Sequence, residues 1–232
     1  MKNRTQAQKG FTIVELMFAT LVFSVVLLLC LNALVQMGRL YYKGVTTSET
    51  QSSARAVLDE ISQAIQFSAA TIVPPSRVVG PDVAVTGGSA TANADGYFCV
   101  GTTRYSYVMD RELNSNPSTP VSTFKQVRHV LWADVVPLCQ AGMSPVDLTQ
   151  ATPSAGGREL LGANMRITRL RMTKLSTNDS TWSIQLTVMY GDEDLVTVYP
   201  EDTTRKVCKS GQVGTQFCAL SELSTIVKRR VL

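Results

Sequence analysis

Lys9-Gly10-Phe11-Thr12-Ile13-Val14-Glu15 places one carboxylate at the start of an almost uninterrupted apolar run that reaches Val35. A carboxylate in such surroundings has two fates. It can rest near a membrane interface, where even at a helix centre insertion scales charge only about 3 kcal/mol, or it can meet a cation. Cleavage after Gly10 would create that cation, because it leaves a positive amine on Phe11. At about 4 Å and an effective dielectric of 20, the attraction between that amine and Glu15 of another subunit is of order 4 kcal/mol. Such pairing favours assembly over a solitary membrane anchor.

The other residues with chemical potential are few. His129 is the sole histidine and stands between Arg128 and Val130, with no nucleophile-elbow motif beside it, so it reads as a packed or surface strand residue. Asp192-Glu193-Asp194 could offer oxygens to calcium, yet it lacks EF-hand spacing and reads better as a charged hairpin turn. No glycine-rich phosphate cradle occurs. Nothing here asks for a catalytic role, a metal or a cofactor.

The cysteines point to an oxidising compartment. Cys30 lies in the apolar run and reads as a small apolar side chain. Cys99, Cys139, Cys208 and Cys218 form an even set with three pairings open to it, and without a CxxC pair they match zinc poorly. Spacing favours Cys208 with Cys218, which bracket a glycine-containing loop, and Cys99 with Cys139, which close either end of a strand-rich region.

These residues need elements to hold them. Residues 11–35 are long enough as a helix to cross a hydrocarbon core of roughly 30 Å. Lys2, Arg4 and Lys9, with no acid among them, mark the preceding stretch as the cytoplasmic side. Further on, Ala54, Val57, Leu58, Ile61, Ala64, Ile65 and Ser68 recur at three- and four-residue steps, an amphipathic helical stripe. Gly38 and Gly44 are soft points in this helix, and Pro74-Pro75 is expected to end it near Ala70.

Residues 76–232 read mainly as strands. Trp182 to Tyr190 alternates cleanly, and Met165 to Lys174 is its hairpin partner; Tyr97 to Val108, Gln126 to Ala133 and Ser221 to Val231 are further candidates. Gly80 to Gly96 and Asn114 to Thr123 read as loops. The fold class is α+β: a long N-terminal helix packed on a C-terminal antiparallel β-sheet head. The boundaries are 1–10 for a leader, 11–37 for the membrane and assembly helix, 38–75 for the amphipathic helix and 76–232 for the head.

The formal charge of +4 hints at nucleic acid but weakens on inspection. Without the leader's three cations, 19 basic side chains face 18 acidic ones, and the head carries 16 against 14. Arg166, Arg169, Arg171 and Lys174 should split across both faces of a strand, since odd and even residues point oppositely. Nucleic acid is therefore the less favoured partner.

Lys9-Gly10-Phe11-Thr12 with Glu15 resembles the processing site of type IV prepilins and type II secretion pseudopilins. The resemblance implies a membrane peptidase that cuts between Gly10 and Phe11 and methylates the new terminus, and it implies that Glu15 guides subunit docking. It further implies a single-pass precursor in the cytoplasmic membrane, held by lipid until it joins other pilin subunits in an extracellular filament. Length and layout resemble the larger W- and J-type minor pilins and pseudopilins, a structural rather than enzymatic class. A filament-displayed adhesin or DNA-uptake receptor is the second reading.

Overall fold

The computed structural model describes residues 11–68, 72–75, 94–114, 126–175, 180–200, 202–212 and 214–230. Gly10 and the leader lie outside these residues, as does most of the two loop stretches. In chain order the elements are helix α1 (Ile13–Phe67), β1 (Ile72–Val73), β2 (Gly96–Val100), β3 (Thr103–Tyr107), β4 (Glu112–Leu113), β5 (Gln126–Val127) and β6 (Leu131–Val135). Then follow β7 (Arg158–Glu159), β8 (Met165–Lys174), β9 (Thr181–Tyr190), β10 (Val196–Tyr199), β11 (Asp202–Cys208) and β12 (Ala219–Lys228). The architecture is α+β and pilin-like, with one long helix followed by antiparallel sheets; β4 and β5 add one short parallel pair. The chain divides into two compact units, residues 1–42 and residues 43–232.

The described part of the first unit is helix from Ile13 onward. No proline interrupts it, and α1 runs through Gly38 and Gly44. Its apolar side chains are exposed throughout, and it is long and apolar enough to cross a membrane. Two of its hydroxyls bond back to the helix, since Thr20 Oγ1 donates to the Met17 carbonyl at 3.0 Å and Ser24 Oγ to the Thr20 carbonyl at 2.7 Å. Hydroxyls bonded back to their own helix are compatible with lipid.

In the second unit the helix becomes one-sided. Thr46, Thr50, Ala54, Val57, Leu58, Ile61 and Ile65 are buried, and the last five join a single apolar core with Phe98, Tyr105, Leu131, Ile167, Ile184 and Leu186. α1 ends at Phe67, short of the prolines. The Gln66 carbonyl accepts the Arg230 amide at 3.1 Å and the Ser68 carbonyl accepts Arg229 Nε at 2.7 Å, so the end of the helix is satisfied by the far end of the chain. Ile72 and Val73 then pair with Val100 and Cys99, using as strand what the sequence suggested as an approach to the helix stop.

The five-stranded sheet has the order β1-β2-β3-β6-β7. Tyr97 to Val108 is two strands, because Gly101 turns the chain at φ +66°, a conformation that favours glycine. Phe98 stacks on its cross-strand partner Tyr105 with ring centroids 4.6 Å apart. The opposite face, with Cys99, Arg104, Ser106 and Asp134, is covered by residues 136–150. Ser106 Oγ accepts the Val146 amide at 3.1 Å, and the Tyr97 hydroxyl donates to the Gln140 carbonyl at 3.0 Å. Arg104 holds Asp134 through two nitrogens, at 3.0 and 2.6 Å.

The second sheet, β12-β9-β8, contains a feature that overturns one reading of the sequence. Its register shifts between Ile167 and Arg169, a bulge that admits Thr168 as an extra residue. Ile167, Leu170 and Met172 therefore all face the core, at 0, 1 and 2 % exposure. Arg166, Arg169 and Arg171 share the other face. Simple alternation failed here because an inserted residue inverts the parity of everything after it.

Candidate functional site

Thr12 starts the helix. Its Oγ1 accepts the Glu15 amide at 3.3 Å, and its hydroxyl donates to Glu15 Oε2 at 3.3 Å, while the Thr12 carbonyl takes the Leu16 amide at 3.2 Å. This arrangement relates closely to a capping box, and the Thr-x-x-Glu spacing was its legible signal. An acid in the first turn also faces the positive end of the helix dipole. Glu15 is thereby held in the first turn of α1, four residues after Phe11, which is 75 % exposed.

Residues 5–31 match the prokaryotic N-terminal methylation motif. That motif is the signal of the type IV pilin family, and it supports a pilin-like structural subunit, processing by a prepilin peptidase and assembly with other pilins. No curated protein and no solved structure matches the chain. The methylation motif thus spans the residues that the helix start organises, Phe11, Thr12 and Glu15, and stops well short of the head.

In the head, Cys99 is bonded to Cys139 and Cys208 to Cys218, with sequence separations of 40 and 10. Loop closure of these lengths contributes about 4 and about 3 kcal/mol in the chain-entropy account. The first bond pins the covering segment to the sheet. The second closes a small lobe built from β10, β11 and the turn Thr215–Phe217, with Met189, Leu195, Val196 and Cys218 as its own core. Thr46 Oγ1 of α1 donates to the Gln216 carbonyl of this lobe at 3.2 Å.

Arg166 anchors the lobe. Its side chain is fully buried; Nη1 pairs with Glu193, Nη2 donates to the Gly191 carbonyl at 2.8 Å and lies 3.5 Å from Glu112 Oε2. Lys206 pairs with Asp110 and lies 3.3 Å from Glu193 Oε1. The sequence suggested solvated arginines and a charged hairpin turn, but Arg166, on the face opposite Ile167, lies under the lobe and Glu193 closes over it. Burial raises the Glu193 carboxyl, and the Arg166 hydrogen bond with the Lys206 and Arg166 charges outweighs it, so Glu193 lies below its ordinary value of 4.5. Asp110 and Glu112 lie above theirs, chiefly through burial.

The signs give a prediction. A depressed folded-state value means that Glu193 contributes stability above pH 4.5, and this is lost as pH falls through the lower folded-state value. Asp110 and Glu112 act oppositely, contributing at low pH and losing that contribution as pH rises through their raised values. Glu193→Gln should therefore destabilise the head more at pH 7 than Glu112→Gln does, and flatten its acid limb. Trp132 and Trp182 are both buried, so their fluorescence in urea at pH 7 and pH 3.5 reads the difference. Equal losses for the two variants at pH 7 would contradict the assignment.

His129 packs edge-on against Trp132 with centroids 4.5 Å apart. Its Nε2 lies 3.3 Å from the Ala151 carbonyl and its Nδ1 3.5 Å from Glu159 Oε2. Glu159 in turn accepts the amides of Val130, Leu131, Leu160 and Leu161 at 2.9 to 3.2 Å. The histidine belongs to a loop anchor, and no serine or cysteine is among these described partners.

Proposed function

We propose that the chain is a minor pilin- or pseudopilin-like subunit, cleaved after Gly10 and assembled through its N-terminal helix into a type IV pilus or related filament. The observation that carries this reading is the coincidence of the methylation motif at residues 5–31 with a capped helix whose apolar side chains are all exposed up to Tyr42. Residues 1–10 serve as the cytoplasmic leader, 11–37 as the membrane and assembly helix, 38–75 as the segment that enters the head, and 76–232 as the bulk of the head. Lipid covers the apolar helix before assembly, and neighbouring subunits cover it afterwards. Glu15 meets the Phe11 amine of another subunit, and the four paired cysteines keep the exported head folded.

A bulky head supports a low copy number, since a filament shaft requires every copy to fit beside its neighbours on one helical stem. Retention of Glu15 supports a priming or near-tip place below at least one other subunit, because a terminal subunit has no amine above it. Gly10→Leu tests the reading at its first step. The wild type should yield a mature mass beginning at methylated Phe11, whereas the variant should keep the full precursor mass in the membrane. Normal processing of the variant, or a mature terminus elsewhere, would refute the proposal.

A further inference from the structure

The bulge in β8 gathers charge on the sheet face beyond the lobe. Two rows cross the three strands there: Arg169, Thr187 and Glu222 in one, Arg171, Gln185 and Ser224 in the next. Arg205 reaches the first row from β11. Its Nη2 lies 3.1 Å from Glu222 Oε2, while Arg169 Nη1 lies 3.7 Å from Oε1, so one carboxylate bridges two guanidiniums. Arg171 Nε is buried with no hydrogen-bond partner among the described residues. Arg169 and Arg205 face Glu222 along a shallow groove that Thr168, Thr187 and Lys206 complete, and Arg171 stands in the next row.

We propose that this face binds the phosphodiester backbone of duplex nucleic acid without reading its sequence. Guanidinium forks take phosphate oxygens bidentately, and a phosphate can displace the single carboxylate that now spans two of them. The rows lie about 7 Å apart, two residues at about 3.4 Å each, so the cations stand at fixed intervals on a rigid sheet. Fixed intervals suit a partner whose charges repeat along a stiff backbone better than carboxylates on the flexible side chains of an acidic peptide. No residue of the two rows is aromatic, and the Tyr199 ring beside them is covered by the Arg205 guanidinium, 5.6 Å from its centroid, so the face offers unstacked bases no free platform and favours a duplex over a single strand.

This inference is independent of the filament reading, and its failure would leave the Gly10 test untouched. The full-length protein in neutral detergent is titrated into a labelled random-sequence duplex, with anisotropy as readout. Three neutralised phosphates give a log–log salt slope of about −2.7, so affinity should fall about 40-fold between about 50 and 200 mM salt. Arg169→Gln with Arg171→Gln should weaken binding at least about tenfold at the lower salt and reduce the slope to about −0.9. Glu222→Gln should tighten binding several-fold, an effect that a merely structural carboxylate would not produce. Should the double arginine variant lose its tryptophan signal, Arg169→Lys with Arg171→Lys, which keeps the charge, is expected to retain most of the slope. Absence of duplex binding at low salt, or arginine and Glu222 variants that bind like wild type, would overturn the proposal. Displacement of the duplex by polyglutamate or by phosphatidylglycerol vesicles at equal charge would also overturn it, in favour of an acidic protein or a lipid surface.

Discussion

Arg166→Ala is expected to destabilise the head by about 3–5 kcal/mol, because removing one member of a buried ion cluster strands the others. Glu193 would lose its strongest partner and Glu112 its nearest cation, while the Gly191 carbonyl would lose its donor. For a unit of this size each kcal/mol moves the melting temperature by about 2–4 °C, so the midpoint should drop by roughly 6–20 °C. Tryptophan fluorescence in a thermal scan checks this. Arg166→Ala combined with Glu193→Ala should cost clearly less than the sum of the single changes, since the two groups share one interaction. Additive losses would show that the cluster is not coupled as its geometry indicates.

Glu15→Gln should leave the subunit in the membrane in normal amount while reducing its incorporation into filaments at least about tenfold, equivalent to about 1.4 kcal/mol. The Coulomb attraction removed is larger, but the amide retains its shape and can still hydrogen-bond to a neighbour's amine. The cap at Thr12 survives as well, because the Glu15 amide continues to donate to the Thr12 hydroxyl oxygen. Quantitative mass spectrometry of sheared filaments against membrane fractions, at matched expression, gives the ratio. A ratio equal to wild type would remove Glu15 from the assembly contact.

Most of the layout was legible in the sequence for a physical reason: apolar periodicity reports burial, and burial dominates both the helix stripe and β9. Ala54, Val57, Leu58, Ile61 and Ile65 could be read because a single face of one regular helix meets the core. Three kinds of information were hidden. An inserted residue at Thr168 carries no compositional mark, so the shared face of Arg166, Arg169 and Arg171 could not be read from strand parity. The end of α1 is set by Arg229 and Arg230, which are remote in sequence, and not by the prolines nearby. β10 and β11, on either side of Pro200, were not among the strands expected from the sequence. At the candidate site the motif itself was fully written in the sequence, while the cap that orients Glu15 was signalled only by the Thr12-x-x-Glu15 spacing, which the hydrogen bonds of Thr12 give its meaning.

The bond from Arg229 to the Ser68 carbonyl spans 161 positions, and this separation bears on how the head is made. The helix that carries one side of the core emerges early in synthesis, whereas β12, which completes the sheet beside it, comes last. Until β12 is in place, Ile61 and Ile65 have no finished core to enter. Contacts of such long range are slow to form and leave apolar surface open meanwhile. On the proposed topology, stepwise folding of the head therefore cannot draw the chain across the membrane, and the exported chain passes through an interval in which its apolar surface is open to aggregation.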